Sequence, residues 1–125
     1  MDQLIENFKT VDAEITKICL PTNSGFIFLF PKEIIYAQSF NAYAYLWTET
    51  GEKIFINKSL KEMEELLADE PFFRIHKSFM VNILKIKRYV RNGADHIIME
   101  NGEKLPISRK KKKELLDVLL NNKSH

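Results

Sequence analysis

Disulfides, strong net charge and long apolar runs are all missing from this sequence. Its 125 residues include one cysteine, Cys19, which cannot form a disulfide within the chain and therefore fits a reducing compartment. The formal net charge is only +2, so overall charge says little about a partner. No apolar run approaches the roughly 20 residues of a membrane span, and the first ten residues lack the apolar core of a signal peptide. We therefore expect a cytoplasmic protein with no membrane partner.

Acidic residues are also missing from one long stretch, residues 71–94. The cations in that stretch are Arg74, Lys77, Lys85, Lys87, Arg88 and Arg91. The acids collect just before it, in Glu62–Glu70, and a second basic region ends in the run Lys110–Lys113. A surface with such a bias attracts polyanions, of which nucleic acid is the commonest for a small protein.

The chain is rich in short apolar segments. Its length suits one domain, and a hydrophobic content of 45% supplies an ordinary core. Short β-branched or aromatic runs between turn residues predict ten strands. These are Ile15–Leu20, Phe26–Phe30, Ile34–Ser39, Tyr43–Thr48, Lys53–Asn57, Phe73–His76, Phe79–Asn82, Ile86–Arg91, His96–Glu100 and Lys104–Ile107. We expect Phe26–Phe30 to be buried on both faces and Asn101-Gly102 to form a type I′ hairpin turn.

Three segments have helical patterns. Ser59 and Glu62 have the spacing of a capping box, followed by an apolar face. Ser108 can cap a final helix. Residues 2–11 are weakly helical. The apolar positions expected to face inward are Leu60, Met63, Leu66 and Leu67 in the first of these helices and Leu115, Leu116, Leu119 and Leu120 in the final one.

The lysine run Lys110–Lys113 falls in the first turns of the final helix, beside Arg109. Cations there oppose the helix dipole, at a cost of about 0.3–1 kcal/mol each when exposed. A bound phosphate would reverse the sign of that effect, because helix N-termini favour anions. The run is therefore interpreted as an anion site, with a solvated charged face as the alternative.

Two sequence strings together resemble the LytTR DNA-binding domain family. The first is FRIHKSFMVN at residues 73–82, followed by Ile86. The second joins Asn101-Gly102 to LPISR at residues 105–109. The resemblance covers roughly Ile15 to Leu120. It implies a bacterial transcription regulator that binds duplex DNA and is not an enzyme.

The resemblance also implies a fold class: mostly β with short helices (α+β), with about ten short strands in successive small antiparallel sheets. An N-terminal helical arm and a C-terminal helix would complete it. The boundaries that we assign are an arm or linker over 1–13, the LytTR-like domain over 14–121 and a tail over 122–125.

Such domains read successive major grooves of a bent duplex through loops rather than through a recognition helix. The positions of this sequence that match base-contacting regions are Asn41, Tyr43, Lys85 and Arg109. Those expected to contact phosphates are Arg74, Lys77, Ser78, Lys87, Arg88, Ser108 and Lys110. An arginine suits guanine, because its guanidinium can donate to O6 and N7 together.

Further partners follow from the resemblance as expectations. They are repeated DNA sites, a homodimer on DNA and a receiver domain upstream in the full-length protein. Neither a cofactor nor a metal is expected, and His76 with Ser78 is too weak a pair to indicate nucleophilic catalysis. The alternative function is a module that binds single-stranded nucleic acid, another polyanion or a protein, with an exposed platform of Tyr43, Tyr45 and Trp47.

Overall fold

The ten predicted strands are all present in the structure, a computed structural model that describes residues 16–123. They are β1 (Ile18–Thr22), β2 (Gly25–Leu29), β3 (Ile34–Phe40), β4 (Tyr43–Thr48), β5 (Lys53–Ile56), β6 (Phe72–His76), β7 (Phe79–Asn82), β8 (Ile86–Val90), β9 (His96–Met99) and β10 (Lys104–Pro106). The predicted N-terminal arm lies outside the described residues, and the predicted domain boundaries stay predictions.

The strands form three small antiparallel sheets, as predicted. Strands β1 and β2 pair alone, the central sheet has the order β5-β4-β3-β7-β6, and the third has the order β10-β9-β8. Most neighbours are consecutive along the chain, and the pairing of β3 with β7 joins two distant hairpins. The central sheet separates two cores. One is closed by β1–β2 and a short helix, and the other by the third sheet and the final helix.

The short helix α1 (Leu60–Leu66) begins with the predicted capping box. The Glu62 N–H donates to Ser59 Oγ at 3.1 Å, and the Ser59 N–H donates to Glu62 Oε1 at 2.9 Å. Leu60, Met63 and Leu67 are buried as predicted, but Leu66 is 41% exposed. At 3.6 residues per turn, Leu66 points about 90° away from the mean direction of the other three.

The final helix α2 (Arg109–Lys123) follows Ser108 directly. Leu115 is completely buried and Leu119 packs against the same core, as predicted. Leu116 is half-buried. The prediction for Leu120 was wrong, because its side chain is 60% exposed. One residue further along a helix turns the side chain by about 100°, which carries Leu120 past the edge of the sheet-facing stripe.

The prediction that β2 is buried on both faces was also wrong. Phe26 is 68% exposed and Phe28 is 58% exposed, whereas Leu29 is buried. The β1–β2 hairpin packs on the first core through one face only, with Leu20 and Leu29 inward. A two-stranded antiparallel sheet at the margin of a domain has nothing to cover its second face.

The hairpin at Asn101-Gly102 forms with a different turn from the one predicted. A type I′ turn needs positive φ at both central residues. Gly102 has φ +90°, but among the described non-glycine residues only Asn41 has a positive φ. The Gly102 N–H donates to the Met99 carbonyl at 2.8 Å, so the turn starts at Met99. Glycine alone supplies the left-handed position.

Candidate nucleic-acid interface

Two turns of the central sheet lie side by side at one end of the molecule. The Ser39 N–H donates to the Ser78 carbonyl at 2.9 Å. This bond places the β6–β7 turn, Lys77-Ser78, next to the end of β3 and so next to the two-residue turn Asn41-Ala42. Asn41, at φ +55°, uses the left-handed conformation that asparagine tolerates better than most residues.

Arg74 holds the β6–β7 turn from inside the protein. Its Nε donates to the His76 carbonyl at 3.0 Å, and one terminal nitrogen donates to the Lys77 carbonyl. The other terminal nitrogen lies 3.1 Å from Glu64 Oε1. Arg74 was predicted from the sequence to contact phosphate. In the structure each of its guanidinium nitrogens already donates within the protein, so its visible role is to fix the turn that presents Lys77.

The N-terminus of α2 lies beside this turn. The Ser108 N–H donates to the Ile75 carbonyl on β6 at 2.9 Å, so Arg109 and Lys110 start the helix close to Lys77. An open cleft of about 460 Å³ separates the two segments. Its lining residues are Arg74, His76, Lys77, Ser108, Arg109, Lys110 and Lys111. We call the group Asn41, Lys77, Ser78, Ser108, Arg109 and Lys110 the cationic end.

His76 lines this cleft and is oriented by the β6–β7 turn. The Ser78 N–H donates to His76 Nδ1 at 3.1 Å. Nε2 is therefore the ring nitrogen left to contact a phosphate or a base edge.

The lysine run of α2 divides into two kinds of side chain. The Lys111 ammonium lies 5.7 Å from the centre of the Phe73 ring, and Lys112 Nζ lies 3.1 Å from Asp95 Oδ2. Arg109 and Lys110 are exposed and form no ion pair with any residue between 16 and 123. The interpretation of the run as one uniform anion site is therefore too simple, since only part of it is available to an anion.

The Asp95 carboxylate is the most enclosed ion-pairing acid among the described residues. Its side chain is 7% exposed, and its Oδ2 accepts from the Tyr89 hydroxyl at 2.8 Å. The hydrogen bond from Tyr89, together with Lys112, holds the pKa of Asp95 below its ordinary value of 3.8. Burial and the same hydrogen bond raise the pKa of Tyr89 to about 12.

Lys85 lies at the other end of the central sheet. Strand β4 has the Asn41-Ala42 turn before it and Glu49 after it, and a six-residue strand is about 20 Å long. Lys85 Nζ is 2.9 Å from Glu49 Oε2 and 3.9 Å from Glu100 Oε1. It therefore joins the two hairpin turns Glu49–Glu52 and Glu100–Glu103, which we call the acidic end. The base contact of Lys85 stays a prediction, but the structure does not bring Lys85 near Arg109.

The remaining predicted contacts lie on exposed surface. Tyr43 is 44% exposed at the start of β4, beside Asn41. Lys87 and Arg88 are exposed on β8, in the third sheet. The structure thus brings together Asn41, Tyr43 and the residues of the cleft, and it places β8 and Lys85 on other elements.

The predicted aromatic platform on β4 is a packed cluster. Tyr43, Tyr45 and Trp47 share one face, with Phe40 and Phe55 beside them. Trp47 stacks on Tyr36 at 4.6 Å between ring centres. Lys53 Nζ lies 4.4 Å from the centre of the Tyr45 ring and 5.4 Å from that of Trp47. Neighbouring side chains therefore occupy much of the ring surface that stacked bases would need.

Sequence reasoning missed two features of this site, the anchoring of Arg74 and the Asp95–Lys112 pair. Arg74 has a local signal, because its carbonyl partners are two and three residues away. Asp95 has none, since no spacing rule joins it to Lys112, which is far outside its local segment. Only the packing of α2 against the third sheet shows that pair.

Comparisons with known proteins identify the family of this fold. The family model of the LytTr DNA-binding domain matches residues 24–120. The chain belongs to the LytTr DNA-binding domain family. A solved LytTr DNA-binding domain from a Bacillus cereus methyl-accepting/DNA response regulator matches with a TM-score of 0.67 and 28% identity, over 81% of this chain and 96% of that one. DNA binding in transcription regulation is therefore the function of this LytTr domain.

Longer regulators contain similar segments. Sensory transduction protein LytT of Bacillus subtilis is 28% identical over 95% of this chain and 54% of its own length. Transcriptional regulatory protein BtsR of Escherichia coli is 26% identical over 70% of this chain and 36% of its own length. The chain thus spans about half or less of the length of these curated relatives.

Residues 16–123 contain no group of three or more histidine, cysteine, aspartate or glutamate side chains that could hold a metal ion. In the same range, neither helix is long and apolar enough to cross a membrane.

Proposed function

We propose that the cationic end is the surface through which this LytTr domain reads duplex DNA. The observation that carries the proposal is the meeting of three segments, the Asn41-Ala42 turn, the Lys77-Ser78 turn and the first turn of α2, at one end of the central sheet. Lysines without acidic partners and hydroxyl groups surround one exposed arginine there. A major groove about 12 Å wide admits such protrusions.

The roles within this surface follow from side-chain chemistry. Arg109 reads a base pair, because its planar guanidinium can donate twice to one guanine. Asn41 and Tyr43 contact bases from the neighbouring turn. Lys77 and Lys110 neutralise phosphates, and these contacts fix position without carrying sequence information. The hydroxyls of Ser78 and Ser108 donate to phosphate oxygens.

Lys87 and Arg88 extend the phosphate contacts along β8, on a surface that a straight duplex at the cationic end would not meet. A bend toward the third sheet would bring them into contact. Bending a site of 20–30 base pairs costs on the order of 1–6 kcal/mol, which added contacts can offset. We therefore propose that the bound duplex is bent, and position-dependent mobility in circular-permutation gel shifts is the expected result.

The binding experiment starts with a duplex selected from a random pool, followed by titrations at several salt concentrations. Neutralising about 4–6 phosphates gives a slope of log affinity against log salt of about −3.6 to −5.4. Arg109→Ala is expected to weaken binding to the selected site by about 1–3 kcal/mol and to remove preference at one base pair. Lys61→Ala, an exposed charge on α1, is the matched control and should leave both quantities unchanged. A uniform loss across all sequences with Arg109→Ala would assign Arg109 to phosphate instead.

The module for single-stranded nucleic acid is the less favoured function. Two of its three rings, Tyr45 and Trp47, pack against Tyr36 or Lys53, and the cationic end is built from protrusions rather than from a groove lined with exposed rings. Tighter binding of oligo-dT than of duplex, with quenching of Trp47 fluorescence, would reverse this preference.

We further propose that a receiver domain precedes this domain in a longer cytoplasmic protein without enzymatic activity in the present segment. The support is the greater length of LytT and the response-regulator source of the similar structure. Two copies would occupy repeated sites as a homodimer on DNA. Analytical ultracentrifugation of the complex with one and two copies of the selected site tests this arrangement. Independent binding of the two copies would contradict it.

A further inference from the structure

Asp95 connects three elements through a single oxygen atom. Its Oδ2 accepts from the Tyr89 hydroxyl of β8 at 2.8 Å and from Lys112 Nζ of α2 at 3.1 Å. Asp95 itself lies in the loop between β8 and β9. With 7% of its side chain exposed, this carboxylate is shielded from solvent in a way that surface ion pairs are not.

The bond to Lys112 completes the anchoring of the first turns of α2. On one side, the Ser108 N–H donates to the Ile75 carbonyl at 2.9 Å and the Lys111 ammonium lies over Phe73. On the other side, Lys112 is tied to the third sheet through Asp95. Arg109 lies between these two attachments in the sequence, so the position from which its side chain extends depends on both.

The negative charge of Asp95, beside the helix that carries Arg109, repels phosphate. Its position must therefore have a different effect on DNA binding. Asp95 occupies the ammonium of Lys112, which would otherwise extend the lysine run toward the duplex. A lysine on a phosphate adds affinity for every sequence alike, whereas an arginine held in one orientation distinguishes base pairs. Keeping Lys112 away from DNA and holding Arg109 in one orientation therefore both raise sequence specificity.

We propose that Asp95 is a positioning residue that holds Arg109 in its reading orientation and withholds Lys112 from DNA, so that sequence discrimination rises while general affinity falls. The proposal rests on the proposed role of the cationic end. Support comes from the geometry, because the Tyr89 hydroxyl donates to the same Asp95 oxygen that pairs with Lys112 and so fixes the carboxylate in place.

The test compares the whole chain with its Asp95→Asn variant on the selected duplex, on single-base variants of it and on unrelated duplex. The amide removes the ion pair and leaves only a neutral acceptor, so Lys112 is held less tightly and can reach DNA. Affinity for unrelated duplex should rise about two- to fivefold, and the salt slope should steepen by about 0.9, which is one phosphate contact. Discrimination between the selected site and its variants should fall about five- to tenfold. Unchanged discrimination, or equal weakening on all duplexes, would overturn the proposal.

Lys112→Met is the matched variant, because it removes the charge and keeps most of the aliphatic chain. It should lose only the part of the discrimination that depends on the position of Arg109, and the salt slope should not become steeper. The double variant should match Lys112→Met alone, since the two residues act through one contact. Additive losses in the double variant would show that Asp95 acts on DNA reading by another route, which contradicts the proposal.

Tyr89→Phe provides a test that does not depend on the folding of Asp95→Asn. It removes one hydroxyl and leaves the carboxylate and Lys112 in place. We expect discrimination to fall about two- to threefold with no change in salt slope. If Asp95→Asn does not fold, a Tyr89→Phe variant that discriminates as well as the unchanged chain contradicts the proposal. If the unchanged chain itself fails to discriminate, the proposed function fails; if it discriminates and the variants equal it, only the role of Asp95 fails.

Discussion

Replacement of Arg74 separates a turn anchor from a phosphate contact. The guanidinium donates to the carbonyls of His76 and Lys77 and pairs with Glu64. Arg74→Ala removes all three interactions, Arg74→Lys keeps the charge but not the forked geometry, and Glu64→Gln removes only the ion pair. Comparison of the three variants therefore separates the ion pair, the charge and the forked geometry.

The magnitude follows from how exposed each partner is. The Glu64 side chain is 47% exposed, so its ion pair contributes about 0–1 kcal/mol to stability. Hydrogen bonds from a charged donor contribute about 1.5–3 kcal/mol each at most, and the 21% exposure of Arg74 lets water replace part of that. We expect Arg74→Ala to lower the free energy of unfolding by about 1–3 kcal/mol, with Glu64→Gln near zero.

The assay combines urea unfolding with DNA titrations in several salt concentrations. If Arg74 fixes the turn, Arg74→Ala weakens binding because Lys77 is no longer held in place, and Arg74→Lys weakens it nearly as much. A phosphate clamp gives a different pattern: Arg74→Lys binds almost normally, and Arg74→Ala reduces the salt slope by about 0.9. Near-normal binding by Arg74→Lys would refute the reasoning and restore the contact predicted from the sequence.

Three further replacements test other parts of the structure. Lys85→Ala should lower the free energy of unfolding by less than about 1 kcal/mol, because its carboxylate partners are half-exposed, and should relax preference at one base pair in the duplex panel; intact preference would show that Lys85 does not read a base. Asn82→Ala should lower the free energy of unfolding in urea by about 2–4 kcal/mol, because the Ile34 carbonyl and the Leu84 N–H each lose a hydrogen bond. The buried Asn82 amide donates to the first and accepts from the second, each at 3.0 Å. A loss below about 1 kcal/mol would contradict this account. The lowered pKa of Asp95 stabilises the fold above the ordinary carboxyl pKa and loses that effect as pH falls through the lower folded value. The melting temperatures of the unchanged chain and of Asp95→Asn should therefore converge in acid, and a constant difference would show that the charge of Asp95 does not act.

Local rules account for most of the elements that the sequence predicted. The capping box at Ser59 and the alternation in β4 depend on neighbours within a few residues, and both are confirmed in the structure. The exposure of Phe26 and Phe28 could not be predicted in the same way. Alternation shows that a strand has two faces, but the number of covered faces depends on which sheet lies above it.

Predictions of the site also divide into local features and features that depend on the three-dimensional arrangement. The string around Lys77 and the string ending at Arg109 are separate in the sequence, and the Ser108–Ile75 hydrogen bond brings them together. The position of Lys85 at the acidic end follows from strand order, which no short pattern contains. The assignment of base and phosphate contacts stays a prediction that binding measurements decide.

The separation of charge between the two ends of the central sheet makes the domain an electric dipole. Four glutamates lie in the hairpin turns of the acidic end, two of them paired with Lys85, and the Glu49–Glu52 turn stands about one strand length, some 20 Å, from the cationic end. At physiological salt, fields are screened over about 8 Å, so an approaching duplex experiences the nearer end almost alone. A chain with a net charge of only +2 can therefore bind DNA as a strongly basic protein does when its cationic end faces the duplex. The interaction of its charge separation with the charge of the DNA turns the chain toward that orientation.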